Sequence, residues 1–185
     1  AEDWFSTAQY FDVRNGHRGF EDVAIAIGAN WNLTGDGEPE RVGAIRMSSN
    51  LLPMLGVRPA LGELFTAEDD LPGRTGKAIL GYGTWMRRYG GNPSVIGRSL
   101  TLNGQPYIVT GVLPAGFDLP REVLPTLGGA EHAEVVLPLP LGADAARVRN
   151  AEDYNLMGKL KPGVALEQAQ AEMDAMTARL RREHP

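Results

Sequence analysis

The sequence predicts an α+β fold, in which strand-period segments and a few helices follow one another without the regular alternation of a parallel α/β sheet. Three observations carry this. Val23, Ile25 and Ile27 alternate with Ala24 and Ala26 at the period of a strand. Asn103-Gly104 sits between Leu100/Leu102 and an apolar segment at 107–113, the strongest two-residue hairpin signal. Leu166, Ala169, Met173, Met176 and Leu180 recur at helical spacing, the pattern of a long amphipathic helix over about 165–183.

The remaining elements follow in order. Ser6-Thr7-Ala8-Gln9 fits a capping box, and Asn15-Gly16 stops the pattern, so a short helix is expected over about 6–14. The first strand extends past Gly28 towards Trp31 and Leu33. A dense turn at 34–39 lets 40–47 pair back as a hairpin. Asn50 to Leu55 reads as a helical turn closed by Gly56. Residues 57–64 carry Pro59 and Gly62 and read as loop or irregular strand, and 66–70 as an acidic turn. A short buried strand at 77–80 leads into a helix at 82–89, with Trp85, Met86 and Tyr89 on one side and Arg87 and Arg88 on the other. Residues 114–133 are rich in Pro and Gly and read as loop, 134–137 as a strand, 140–151 as a flexible crossing, and 154–160 as the last strand. Glu167 near the start of the final helix and Arg179, Arg181 and Arg182 near its end suit the helix dipole.

Composition excludes several classes. The net charge is −5 and no Lys/Arg run is long enough to track phosphates, so nucleic acid is not an expected partner. There is no cysteine, which removes disulfides, thiolate metal sites and Cys catalysis without fixing the compartment. No stretch approaches the roughly 18–20 apolar residues of a membrane span, and no signal peptide is visible. A soluble piece of a longer protein is therefore expected.

No catalytic, cofactor-binding or metal-ligating residue is nominated. The three histidines, His17, His132 and His184, lie at no metal-ligand spacing. Glu68-Asp69-Asp70 and the set Asp36, Glu38 and Glu40 do not meet the EF-hand pattern and read as solvated loops. Among 23 acids, nothing singles out the pair that glycoside hydrolysis needs. Gly81-Tyr82-Gly83 lies between a strand and a helix, where a dinucleotide fingerprint would lie, but its third glycine would fall at Met86; the glycines read as turn residues. Asn32-Leu33-Thr34 matches a glycosylation sequon of a kind common by chance. The apolar stripe of the last helix is expected to pack on the chain's own sheet. A hydrolase would need a cleft with two close carboxylates. A ligand-binding module would need an apolar pocket, around Trp31, Trp85 or Phe117.

Several segments, taken in order, resemble one family. They are 32–42 (NLTGDGEPERV), 55–62 (LGVRPALG), 80–85 (LGYGTW), 87–93 (RRYGGNP), 95–98 (VIGR), 102–107 (LNGQPY), 109–114 (VTGVLP), Gly116-Phe117 and 160–164 (LKPGV). Their order and spacing are similar to the MacB-like periplasmic core domain of FtsX-like ABC transporter permeases, with acidobacterial-type permeases as the relatives they resemble most. The resemblance runs from about Tyr10 to Pro185.

The resemblance implies a periplasmic, extracytoplasmic domain of a cell inner membrane protein, inserted between two membrane helices of a permease. It implies two lobes: a porter-like α/β sandwich from 1–52 plus 134–185, and an inserted strand-rich, sabre-like lobe from 53–133. Hinges would lie at Pro53 to Gly56 and around Gly128-Gly129. The implied role is non-catalytic: coupling membrane-helix movement to periplasmic conformational change in efflux, with the first and last helices as struts. The alternative is a periplasmic small-molecule or peptide binding module. No cofactor is implied. Implied partners are the transmembrane helices and ATPase of the parent transporter, and either a periplasmic adaptor or a second permease copy. Any transport belongs to that parent. Relatives often carry Thr or Ser where this chain has Ala165, so the last helix is expected to start late or to lean on Pro162-Gly163.

Overall fold

The structure, a computed structural model, describes residues 4–35, 37–74, 76–119 and 132–183. Helix α1 (Thr7–Gly16) opens on the expected capping box: Gln9 N–H donates to Ser6 Oγ at 3.2 Å, and Ser6 N–H donates to Gln9 Oε1 at 2.7 Å. Strand β1 (Phe20–Thr34) is 15 residues long and extends past the alternating core at both ends. It turns into β2 (Glu40–Met47), paired antiparallel from Ala26↔Met47 to Leu33↔Glu40. Helical turn α2 (Leu51–Met54) follows, and Gly56 leaves it at φ +73°. The irregular stretch holds only β3 (Leu61–Gly62), and the acidic turn is a single 3-10 turn, Ala67–Asp70.

Strand β4 (Lys77–Leu80) leads directly into helix α3 (Tyr82–Tyr89), closed by Gly90 in the left-handed conformation. Strands β5 (Ser99–Leu102) and β6 (Gln105–Val112) form the expected hairpin, with positive φ at both Asn103 and Gly104. After β7 (Val135–Pro138), a 3-10 turn at Ala145–Arg147 docks on α1, where Thr7 Oγ1 donates to Ala145 O at 2.6 Å. The crossing expected to be flexible is thus tied down. Strand β8 (Asn155–Leu160) and helix α4 (Leu166–Glu183) complete the described chain. The last helix does not start late. Ala165 O accepts from Ala169 N–H at 3.1 Å, so the first turn forms without a capping hydroxyl.

All eight strands belong to one sheet among the described residues, and the pairings close on themselves. β1, β2, β7, β4, β6 and β5 form a ring, with β5 returning to β1 at Leu33↔Leu102. A cluster drawn from every strand of the ring fills its interior: Leu33 and Val42 meet Leu80, Leu100, Val109 and Val135, all essentially without solvent contact. A small closed barrel has room for side chains only, so this is a packed core and not a channel. Tyr82, Trp85 and Tyr89 of α3 pack against it. Met86, expected on that buried side, is exposed instead, and Arg88 is held inward by Glu40 Oε2 and the Glu38 carbonyl.

Two further clusters lie outside the ring. Ala24, Ala26, Ile45, Met47, Ile79 and Val136 turn outward and are covered by Leu51, Leu52, Phe65 and Leu119. Val23 and Ile25, on the opposite face of β1, pack with Tyr10, Val13 and Met176, which brings α1 and α4 against the N-terminal half of β1 and β8. Of α4, only Ala169 and Met176 are buried, and Leu166 is 69% exposed. The helix does cover the chain's own strands, but with a narrower stripe than its sequence period offers. The ring takes β1, β2 and β7 from the segments expected to form one lobe, and β4, β5 and β6 from the segment expected to be the insert.

Candidate functional site: the cleft at the start of α3

The residues weighed in the sequence are dispersed. His17 ends α1 with its ring edge-on to Phe20 at 5.6 Å. His132 lies far along the chain, its Nδ1 3.0 Å from Asp118 Oδ2. His184, Asp36 and Gly128-Gly129 lie outside the described residues. Among the described residues, no cluster of three His, Asp or Glu side chains has a metal-holding arrangement. Trp31 stacks edge-on against Tyr107 and lies under Arg46, while Trp85 Nε1 donates to Asn92 O at 3.0 Å. Of the three aromatics named for a ligand pocket, only Phe117 borders the larger cleft described below.

The acidic turn serves the fold. Buried Asp69 accepts from Thr66 N–H at 2.8 Å and pairs with Lys77 Nζ at 2.7 Å. Burial pushes its pKa up, but the Lys77 and Thr66 hydrogen bonds together outweigh this and hold it below the usual carboxylate range. Asp70 accepts from Ser49 N–H at 3.0 Å and Ser49 Oγ at 2.8 Å, yet burial wins and its pKa is raised. Nearby, burial also raises the Tyr10 phenol, whose oxygen accepts from Arg14 Nη1 at 2.8 Å.

Glu40 anchors an ionic clamp, to which Glu38 adds its backbone carbonyl, accepting from Arg88 Nη1 at 3.1 Å. Arg87 Nη2 bonds Glu40 Oε1 and Glu134 Oε1, the latter at 2.9 Å, and Arg88 Nη1 reaches Glu40 Oε2 at 3.2 Å. The Arg87 pKa is raised, chiefly by the Glu134 hydrogen bond. Glu134 ties three elements together. Its Oε2 accepts from Gly43 N–H of β2 at 2.8 Å, and its carbonyl accepts from Gly81 N–H at the start of α3, also at 2.8 Å. Gly81 is a packing glycine, because a Cβ there would stand 2.4 Å from Ala133 O.

This knot forms the wall of a cleft of about 660 Å³. One side is the first turn of α3, Gly81 to Thr84. Asn30, Arg41 and Gly43 of the β1–β2 hairpin line it too, as do Phe117 and the Asp118–His132 pair. A second, smaller cleft of about 340 Å³ lies between Arg88, Tyr89 and Arg98, where the Arg98 guanidinium sits over the Tyr89 ring at 5.9 Å. Sequence reasoning placed Gly81 and Gly83 at a strand-to-helix turn but missed Thr84 and Arg41. The only signal was their neighbourhood, since the cleft that residues 41 and 84 share is a tertiary fact.

The family model of the MacB-like periplasmic core domain matches residues 2–176. The chain belongs to that family. MacB-like core domains are the extracytoplasmic part of FtsX-like ABC transporter permeases, proteins of the inner membrane, and the family is one of permease domains rather than of enzymes. The fold is similar to the periplasmic region of MacB from Actinobacillus actinomycetemcomitans, with 14% identity over 98% of this chain and 75% of that one and a TM-score of 0.67. A domain of a putative permease protein from Porphyromonas gingivalis gives a TM-score of 0.70 at 18% identity, over 96% and 78% of the two chains. The extracellular domain of the noncanonic ABC-type transporter YknZ from Gram-positive bacteria gives 0.53 at 20% identity, over 84% and 90%. No curated protein matches the chain. Among the described residues, no helix of this MacB-like domain is long and apolar enough to cross a membrane.

Proposed function

We propose that this domain couples movement of the parent permease's membrane helices to conformational change in the periplasm, without catalysis of its own. The observation that carries the reading is the shared strand β1. Its N-terminal half lies with β8, α1 and α4, while its C-terminal half is a stave of the closed ring. A displacement of α1 or α4, as struts, would reach the ring through this strand and through Leu139, which follows β7 into the same cluster, because hydrogen-bonded ladders transmit force with little slack. The division into lobes 1–52 plus 134–185 and 53–133, with a hinge at Pro53 to Gly56, is part of the proposal. The β1–β5 and β4–β7 pairings join those portions within the ring, so the motion proposed is a bend of β1 where it leaves the ring, with the ladders kept. A periplasmic adaptor or a second permease copy would receive the motion.

The chain contributes no cysteine of its own, so labels can be placed once any cysteine elsewhere in the permease is replaced. Spin labels at Arg179→Cys on α4 and at exposed Gln105→Cys at the start of β6 would be placed in the full-length permease, and their separation measured with and without ATP. A nucleotide-dependent change in separation is expected. One unchanged distance distribution in every nucleotide state sinks the proposal.

A further inference from the structure

We propose that the cleft at the start of α3 binds a carboxylate carried by an apolar or aromatic group, a ligand of the periplasmic face that the coupling role neither needs nor supplies. The first N–H groups of any α-helix lack partners within it. Gly81, the residue before α3, has no side chain to cap them, and its own N–H is spent on the Glu134 carbonyl. The N–H groups of Gly83 and Thr84 therefore border the cleft at the positive end of an eight-residue helix.

A second observation points to a ligand independently of the helix end. Thr84 is 1% exposed, lines the cleft, and its Oγ1 makes no hydrogen bond among the described residues. The Cα–Cβ bonds of a helix lean towards its N-terminus, so the Thr84 side chain leans to the same end as the open N–H groups. A buried hydroxyl is normally paired, and an oxyanion seated there would complete it.

Charge fixes the class of ligand. Glu134 is matched by Arg87, and Asp118 faces His132. Arg41 lines the cleft, is exposed, and forms no ion pair among the described residues. One guanidinium plus the helix end suits a single negative charge, whereas a phosphate dianion would crowd Glu134 and Asp118. Half-buried Tyr82 and Phe117 line the cleft and supply apolar surface for the uncharged part, and the volume is that of a small-molecule site.

The test is an amide chemical-shift titration of the chain with phenylacetate, against phenylacetamide and inorganic phosphate as separate arms. Saturable shifts at Gly83 and Thr84 with phenylacetate are expected, with the neutral amide at least about tenfold weaker. Arg41→Ala should weaken phenylacetate at least about fivefold. Thr84→Val should weaken it as well, while leaving the free chain no less stable, since it removes an unpaired hydroxyl at nearly constant volume. The assignment is overturned if phenylacetate gives no saturable shift at these amides, or if Arg41→Ala binds it as the parent does. It is also overturned if phosphate saturates the site more tightly. Because the readout is binding to the isolated chain, its failure leaves the spin-label result untouched, and the converse holds.

Discussion

The ring and its flank are built from the same strand but held together differently. In the ring, every strand is paired on both sides along at least part of its length, and the interior side chains have essentially no contact with water. In the flank, β8 pairs with β1 alone apart from a single bridge from Phe5 to Tyr154, none of its residues is fully buried, and α4 contributes only Ala169 and Met176 to buried packing. Closure satisfies backbone groups on both edges and encloses a core. An open flank leaves an edge and a shallow layer, so its local opening should cost less than global unfolding. That difference is what the proposed coupling role would need: one part that keeps its shape and one part that yields.

The largest test of this contrast is truncation of matched leucines. Leu80→Ala, inside the ring, should cost about 2–5 kcal/mol in urea unfolding, whereas Leu156→Ala on half-buried β8 should cost about 1 kcal/mol. Equal losses would erase the distinction between ring and flank.

Glycines sharpen it next. An added Cβ at Gly111 would stand 2.4 Å from the Glu63 carbonyl oxygen, a backbone atom held by the β3–β6 pairing. At Gly158 it would meet the Phe20 ring at 2.5 Å, a side chain able to turn aside. Gly111→Ala should therefore cost about 1–3 kcal/mol and Gly158→Ala clearly less. The reverse order, measured as shifts in thermal midpoint, would place the rigid packing in the flank instead.

The adjacent acids at 69 and 70 should respond to pH with opposite sign. The folded-state pKa of Asp69 is lowered, so its contribution is present above the ordinary carboxylate pKa and lost as pH falls through the lowered value. The folded-state pKa of Asp70 is raised, so its contribution is present below the ordinary value and lost as pH rises through the raised one. Asp69→Asn should remove about 1 kcal/mol at neutral pH, through the lost Lys77 pair and weakened Thr66 cap. Asp70→Asn should abolish the decline in stability on the way from acid to neutral pH. Unfolding curves for both variants across that range decide it, and parallel pH profiles would contradict the assignment.

The smallest expected effect lies at the helix start in the flank. Ala165→Ser adds the hydroxyl that the first turn of α4 lacks and should raise stability by about 0.5–1 kcal/mol. No change would mean that α4 frays independently of its cap.

The sequence by itself determined the local structure, because the forces that set it act within a few residues. Ser6 and Gln9 cap α1, Asn103-Gly104 turns the β5–β6 hairpin, and Gly90 closes α3, each from its own side chain or its tolerance of positive φ. The order of motifs from 32 to 164 also sufficed to place the chain among MacB-like core domains. Tertiary structure alone decided that β5 returns to β1 and shuts the ring, since Leu33 and Leu102 meet across a separation that no local period encodes. It alone turned Met86 outward and Arg88 inward, where partners at Glu38 and Glu40 outweigh the hydrophobic pattern of α3. It alone brought Arg41 to the same cleft as Thr84, through the hydrogen bonds of Glu134 to Gly43 and Gly81. Such contacts depend on which distant segments bury their apolar faces together, and that is settled only when the whole sheet has closed.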